Sequence, residues 1–205
     1  MRKLLFGGVM LLVLWGAASS WQHRAVAAGP GILAPDAPRQ IDLGSHGAQL
    51  QRGDFTLITR ARFTLTARVL SREDYTWDAG TRLVPTDLVL GWGPMSDSAV
   101  LAKLQISQSG RFYYWRAREL PIPARAIETS SANMHLIPAD DGVRSAIKQV
   151  RPGEVIHLEG FLVDARRADG WHWNTSMTRD DIGDGACELV YVESLASVSK
   201  GDVAN

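Results

Sequence analysis

The sequence predicts a β-rich α+β domain with a small antiparallel sheet and two or three short helices. Residues 55–70, FTLITRARFTLTARVL, alternate apolar and polar side chains, which is typical of a long half-buried strand. Three further strand-like segments lie between residues 155 and 195. Residues 143–150 carry apolar side chains at helical spacing.

Two short helices and a strand are expected in the middle of the chain. VPTDLVL, residues 84–90, has a proline followed by threonine and aspartate, which favours a helix start. Ser96 or Asp97 can cap a second helix in SAVLAKL, residues 98–104. RFYYWRA, residues 111–117, is aromatic and strand-like.

The C-terminal half is expected to add an extended segment at 126–137, a helix and three strands. Asp140 or Asp141 can cap the helix, which runs to residue 150. The strands are VIHLEGFLVDA, WHWNTSMT and CELVYVESL, the first two joined by a hairpin turn at RADG. We expect Ala165 to lie opposite His172 in that hairpin, which puts Leu158 and Leu162 on the face of Trp171 and Trp173.

The N-terminus reads as an export segment. Residues 4–21 contain no charge and follow Arg2 and Lys3, which predicts a signal-anchor or a cleaved signal peptide over 1–21. The sequence predicts a flexible linker over residues 22–46, one globular domain over 47–196 and a disordered tail over 197–205. We therefore expect an inner-membrane anchor through residues 4–21 with the body in the periplasm, or an exported protein if the leader is cleaved.

The charge balance limits the classes of binding partner, and the cysteine content limits the possible disulfides. The 205 residues include 22 basic and 22 acidic side chains, and removing Arg2, Lys3 and Arg24 leaves 19 basic against 22 acidic. This balance gives no reason to expect a nucleic acid as partner. The single cysteine, Cys187, cannot form an internal disulfide.

Several phrases resemble known proteins. GEVIHLEGFLV, residues 153–163, resembles the turn-then-strand of oligonucleotide/oligosaccharide-binding (OB) folds, so the short strands are also expected to fit an OB-like partial barrel. SREDY, LGWGPMSDSAVL, ISQSGRFYYW, SANMHLIPAD and GACELVYVE resemble a family of uncharacterised bacterial envelope proteins over residues 31–193. That resemblance implies a membrane-anchored, extracytoplasmic body and no particular activity.

Cysteine chemistry is one possible function. Cys187 could serve as nucleophile and His135 as base, with Asn133 or Asp180 orienting the imidazole. Cys187 instead opens an apolar strand, where a buried structural thiol is the commoner outcome. We therefore expect a non-enzymatic protein, with a cysteine-dependent hydrolase or transferase as the alternative.

Metal sites and cofactors are not expected. His157 and His172 would lie too far apart along one hairpin to share a zinc ion with His135 or Cys187. Asp180, Asp181 and Asp184, with Glu188, offer oxygen ligands for calcium, but their spacing differs from the alternating calcium loop. A calcium-stabilised envelope module therefore stays a second alternative.

Aromatic side chains are the remaining candidates for binding. Trp92, Tyr113 and Trp115 could stack on a sugar ring or a peptide, although core packing is the usual role of such residues. Of the adjacent Tyr113 and Tyr114, one should face out because strand side chains alternate. The sequence thus predicts a tethered module that binds an envelope protein or a cell-wall ligand.

Overall fold

A computed structural model describes residues 24–78, 80–178 and 186–198 of the chain. These residues form ten strands and three short α-helices, with single 3-10 turns at Gly44–His46 and Gly93–Ser96. The helices are α1 (Ser98–Leu101), α2 (Ala124–Thr129) and α3 (Asp141–Gln149). The strands are β1 (Arg39–Asp42), β2 (Gln49–Arg52), β3 (Phe55–Asp74), β4 (Thr86–Gly91), β5 (Gln105–Ser109), β6 (Phe112–Arg116), β7 (Ser131–Pro138), β8 (Val155–Arg167), β9 (His172–Trp173) and β10 (Glu188–Ser197).

Eight of these strands form one mixed sheet, and β5 and β6 form a separate hairpin. Pairings lead from β3 to β4, β7, β10 and β8, and β8 pairs again with β3. β7 and β10 run parallel, because α3 and β8 carry the chain back between them. The prediction of a β-rich α+β fold is confirmed. The prediction of a small antiparallel sheet was wrong, because the eight-stranded sheet is large and mixed.

The central strand β3 follows the predicted alternation and extends beyond it to residue 74. Phe63, Leu65 and Ala67 are buried in the core with side chains from every strand of the pairing circuit. α3 closes this core with Val143 and Ile147, as its helical spacing predicts. The core therefore lies between the curved sheet and α3.

One predicted helix and the start of one predicted extended segment were wrong. Residues 86–91 form strand β4 instead of a helix, and all six are buried. A short apolar run covered on both faces lacks alternation, so its pattern does not separate strand from helix. The segment predicted as extended from residue 126 instead begins inside α2 and becomes a strand at Ser131.

The predicted register of the β8–β9 hairpin was wrong by one residue. Ala165 lies opposite Trp173, and Arg166 lies opposite His172. Strand side chains alternate faces, so a one-residue slip exchanges them. Trp173 consequently packs with Ala165 in a second apolar cluster, while Leu158 belongs to the main core.

Part of the segment predicted as a linker contacts the domain. β1 pairs with residues 61–64 of β3. The N–H groups of Leu33 and Ala34 donate to the Ser96 hydroxyl, 3.1 and 3.0 Å away. The apolar run at 4–21 lies outside the described residues, and within those residues no helix is long and apolar enough to span a bilayer.

Removing the cap of α3 should destabilise the protein modestly. The Asp140 side chain accepts a 2.8 Å hydrogen bond from the Val143 N–H at the start of the helix. We expect Asp140→Ala to lower the free energy of unfolding by about 1 kcal/mol. Urea denaturation measures the loss, with Asp141→Ala as control because that side chain is fully exposed. Equal losses in the two variants would contradict the capping role.

Candidate functional site

A buried polar cluster joins the neighbouring strands β4 and β7. Asp87 and His135 are directly opposed in the antiparallel register, and both are almost fully buried. Asp87 Oδ1 and His135 Nδ1 lie 2.9 Å apart, although they are not aligned for a hydrogen bond. The His135 ring packs on Trp173 with a centroid separation of 4.5 Å. The histidine therefore belongs to the interior.

Arg111 connects this cluster to the β5–β6 hairpin. From the hairpin turn, its guanidinium donates to Asp87 Oδ1 at 3.0 Å and binds both carboxylate oxygens of Asp78 at 2.9 Å. It also donates to the Val84 carbonyl at 3.0 Å and lies 3.6 Å from the centre of the Tyr75 ring. One planar cation thus balances the buried Asp87 and fastens the hairpin to Tyr75, Asp78 and Val84.

Two groups around Arg111 have shifted pKa values. Burial raises the pKa of the Tyr75 phenol, and the neighbouring Asp87 carboxylate raises it further. Burial acts in the same direction on Asp78, but charge attraction and hydrogen bonding from Arg111 outweigh it and lower the Asp78 pKa. Asp78 is therefore ionised at neutral pH, whereas the Tyr75 phenol keeps its proton.

Asp78→Asn should remove a pH-dependent part of the stability. The pKa of Asp78 is lower in the folded protein than in the unfolded chain, where it is about 4. The ionised carboxylate therefore stabilises the fold above about pH 4, and this stabilisation is lost as the pH falls through the folded-state pKa. We expect the variant to be less stable than the wild type at neutral pH, and the difference to shrink in acid. Urea unfolding across pH measures this, and a difference independent of pH would contradict it.

A cavity of about 270 Å³ lies beside the same hairpin, between β6 and the beginnings of β7 and β10. Tyr114 is 51% exposed at its rim, while Tyr113 is half-buried, so the expectation that one of the pair faces out is confirmed. All three aromatic candidates therefore border one space. The aromatic rings that line it are Trp92, Phe112, Tyr113, Tyr114 and Trp115.

Polar side chains of β7 form one wall of the cavity and hold the hairpin. The hydroxyl oxygens of Tyr113 and Ser131 lie 2.8 Å apart and share a hydrogen bond. Asn133 donates from Nδ2 to the Arg111 carbonyl at 2.8 Å, and its Oδ1 accepts from Gln108 at 2.9 Å. β6 is therefore held at a fixed distance from β7 by side-chain bonds.

The Tyr113 phenol is kept neutral. Burial raises its pKa, the hydrogen bond with Ser131 opposes the rise, and the carboxylates of Glu128 and Glu188 add to it. Both carboxylates also line the cavity. At physiological pH Tyr113 is thus a hydrogen-bonding wall residue with an acidic neighbourhood.

The predicted cysteine and histidine contact different groups. Cys187 lines the cavity from the β10 side, and its Sγ lies 4.0 Å from the Arg111 carbonyl oxygen. His135 Nδ1 faces Asp87 on the β4 side. In the parallel register, Leu189 of β10 lies beside His135. Cys187 comes two residues before Leu189, which places it roughly 6.6 Å from Leu189 along the strand. Asn133, one of the two predicted orienting residues, lies in the cavity wall with Cys187, and the other, Asp180, lies outside the described residues.

The metal candidates are not assembled within the described segments, where no three His, Cys, Asp or Glu side chains are grouped to hold an ion. His157 hydrogen-bonds with Thr66, 2.8 Å away. His172 lies opposite Arg166, which comes nine residues after His157 on β8. His157 and His172 are therefore roughly 30 Å apart. The calcium candidates Asp180, Asp181 and Asp184 lie outside the described residues.

Three arginines on the outer face of β3, Arg60, Arg62 and Arg68, each contact a polar side chain. Arg60 contacts Asp164 at 3.1 Å, and Arg62 contacts Glu193 at 2.8 Å. Arg68 donates to the Ser98 hydroxyl at 2.8 Å. These contacts are more typical of the solvent-exposed face of a sheet than of a binding site for an anionic ligand.

The pairing of Asp87 with Arg111 was not predicted from the sequence. Asp87 was placed in a helix start, although an aspartate within an apolar run signals a buried charge that needs a cation. Gly110 precedes Arg111 in SGRF, which also marks a two-residue hairpin turn. That turn would have predicted the β5–β6 hairpin, but nothing in the sequence links its arginine to β4.

Comparisons with protein-family models, curated proteins and solved structures yield no match to this chain.

Proposed function

We propose that the protein is an extracytoplasmic binding or assembly module that holds a ligand in the cavity beside β6. The observation that carries the proposal is the convergence of Trp92, Tyr113 and Trp115 on that one space. Aromatic rings offer large contact area at low entropic cost, and Asn133 and Ser131 provide polar groups among them. The predicted export segment supplies the tether to the inner membrane.

We propose that β3, β4, β7, β8 and β10 form an OB-like partial barrel, with β5 and β6 inserted between its second and third strands. The support is the circuit of pairings through these five strands. OB folds bind ligands across their second and third strands. In this chain the cavity lies beside β7, the third strand, in keeping with that use.

The geometry favours binding over cysteine catalysis. A thiolate nucleophile requires a base within hydrogen-bond reach. Here the Nδ1 of His135 is turned to Asp87, and the Cys187 sulfur is turned to the Arg111 carbonyl.

Site-specific photocrosslinking in intact cells tests the function. A benzophenone amino acid replaces Tyr114 at the cavity rim, and in the control it replaces Ile41 on β1, because the two side chains are 51% and 50% exposed. We expect one defined adduct, an envelope protein peptide or a cell-wall fragment, from position 114 only. Trp115→Ala should weaken that adduct by removing a ring from the cavity. Identical products from both positions, or none from position 114, would overturn the proposal.

A further inference from the structure

The cavity follows the edge of β6. Four consecutive residues, 112–115, line it, although adjacent side chains of a strand point to opposite faces. A space that touches all four must therefore lie along the strand's edge, where both faces meet. No residue of β5 lines the cavity, so this edge is the one turned away from the hairpin partner.

The hairpin turn determines which main-chain groups point to that edge. Gly110 and Arg111 both have positive φ, 60° and 74°, as a type I′ turn requires. The closing pair of such a two-residue turn, Ser109 and Phe112, exchanges hydrogen bonds. Bonded pairs alternate along the ladder, so Phe112 and Tyr114 bond to β5, and the N–H and C=O of Tyr113 and Trp115 point into the cavity.

These outward groups have no protein partner among residues 24–78, 80–178 and 186–198. β6 pairs with β5 alone in that part of the chain. The side-chain bonds to this edge end at the turn, where Asn133 and Cys187 contact the Arg111 carbonyl. The edge beyond it therefore presents a repeating donor and acceptor pattern to whatever fills the cavity.

We propose that an extended peptide segment of a partner protein adds to this edge as a third strand of the β5–β6 hairpin. The inference rests on the proposed binding function and names its ligand class. Strand addition supplies main-chain hydrogen bonds for affinity, while a pocket for alternate side chains supplies selectivity. One apolar side chain of the peptide enters the cavity between Trp92, Ala132 and Trp115.

The chemistry of the site favours a peptide over a free small molecule. Only another extended main chain matches N–H and C=O groups repeated at every second residue. The cavity's 270 Å³ is below the range of about 300–1,000 Å³ for sites that enclose a whole small molecule, so it suits a single side chain.

Peptide titration of the full chain in detergent micelles, followed by amide NMR, tests the inference. The probe is acetyl-Thr-Val-Thr-Phe-Thr-Val-Thr-amide, compared with two N-methylated versions, one methylated at the even positions and one at the odd positions after the first. We expect the parent peptide to shift the Tyr113 and Trp115 amide signals. Methylation at one parity should weaken binding at least about tenfold, because it removes the donors that face β6, and the other parity should bind nearly as well.

Each result decides the inference. Equal binding of both methylated peptides, or unshifted Tyr113 and Trp115 signals, would overturn strand addition. A chito-oligosaccharide that shifts the signals of Trp92 and Trp115 when the peptides do not would also overturn it, but would leave the cavity as a binding site. If neither probe binds and the crosslinker at position 114 captures nothing, the binding function fails as well.

Discussion

Arg111→Met is expected to lower the free energy of unfolding by about 3–5 kcal/mol, because it leaves the buried Asp87 carboxylate without its cation. The Asp87 side chain is completely buried, so water cannot replace the lost partner. The same substitution also releases Asp78 and the Val84 carbonyl. Urea denaturation monitored by tryptophan fluorescence measures the change.

Two further variants separate charge from packing at this position. Arg82→Met removes an arginine that is 69% exposed and paired with Asp54, so little change is expected. Adding Asp87→Asn to Arg111→Met should restore part of the lost stability, because the buried charge is gone. A loss at Arg111 as small as that at Arg82, or no recovery in the double variant, would refute this account of Asp87.

Gly160→Ala is expected to destabilise the protein by about 3 kcal/mol, at the upper end of overpacking effects. Gly160 lies on β8 opposite Val192 of β10 and Phe63 of β3. A Cβ at this position would overlap the carbonyl oxygen of Tyr191, and main-chain atoms cannot move aside as a flexible side chain can. The variant therefore tests the close approach of β8 to β10.

The matched control is Gly53→Ala. A Cβ there meets no heavy atom within 4 Å, and only its positive φ of 61° opposes the substitution, at a cost of about 1 kcal/mol. Guanidinium unfolding of both variants compares steric overlap with backbone strain. A cost at Gly160 no greater than that at Gly53 would contradict the observed approach of the two strands.

Local patterns predicted the elements whose faces differ in polarity. The alternation of residues 55–70 identified β3, and the spacing of Val143 and Ile147 with an aspartate cap identified α3. β4 was missed because Thr86–Gly91 is buried on both faces and has no period to read. The parallel β7–β10 pairing depends on contacts between distant segments, which no local pattern encodes.

The candidate site was predictable in its aromatic part only. Trp92, Tyr113 and Trp115 stood out by residue type, but their meeting at one cavity follows from the placement of the hairpin against β7. His135 drew attention as a possible base, whereas the structure gives it a buried position beside Asp87. The edge of β6 that faces the cavity is set by which main-chain groups bond to β5, and these follow from the turn type and register of the hairpin.

Amide hydrogen exchange along β6 in the ligand-free full chain tests this edge most directly. If the edge is open, Tyr113 and Trp115 should exchange at least about tenfold faster than Phe112 and Tyr114, which are bonded to β5. NMR resolves the four amides separately, so each pair serves as the control for the other. Equal protection of all four amides would mean that the edge is already paired, and would contradict strand addition at this site.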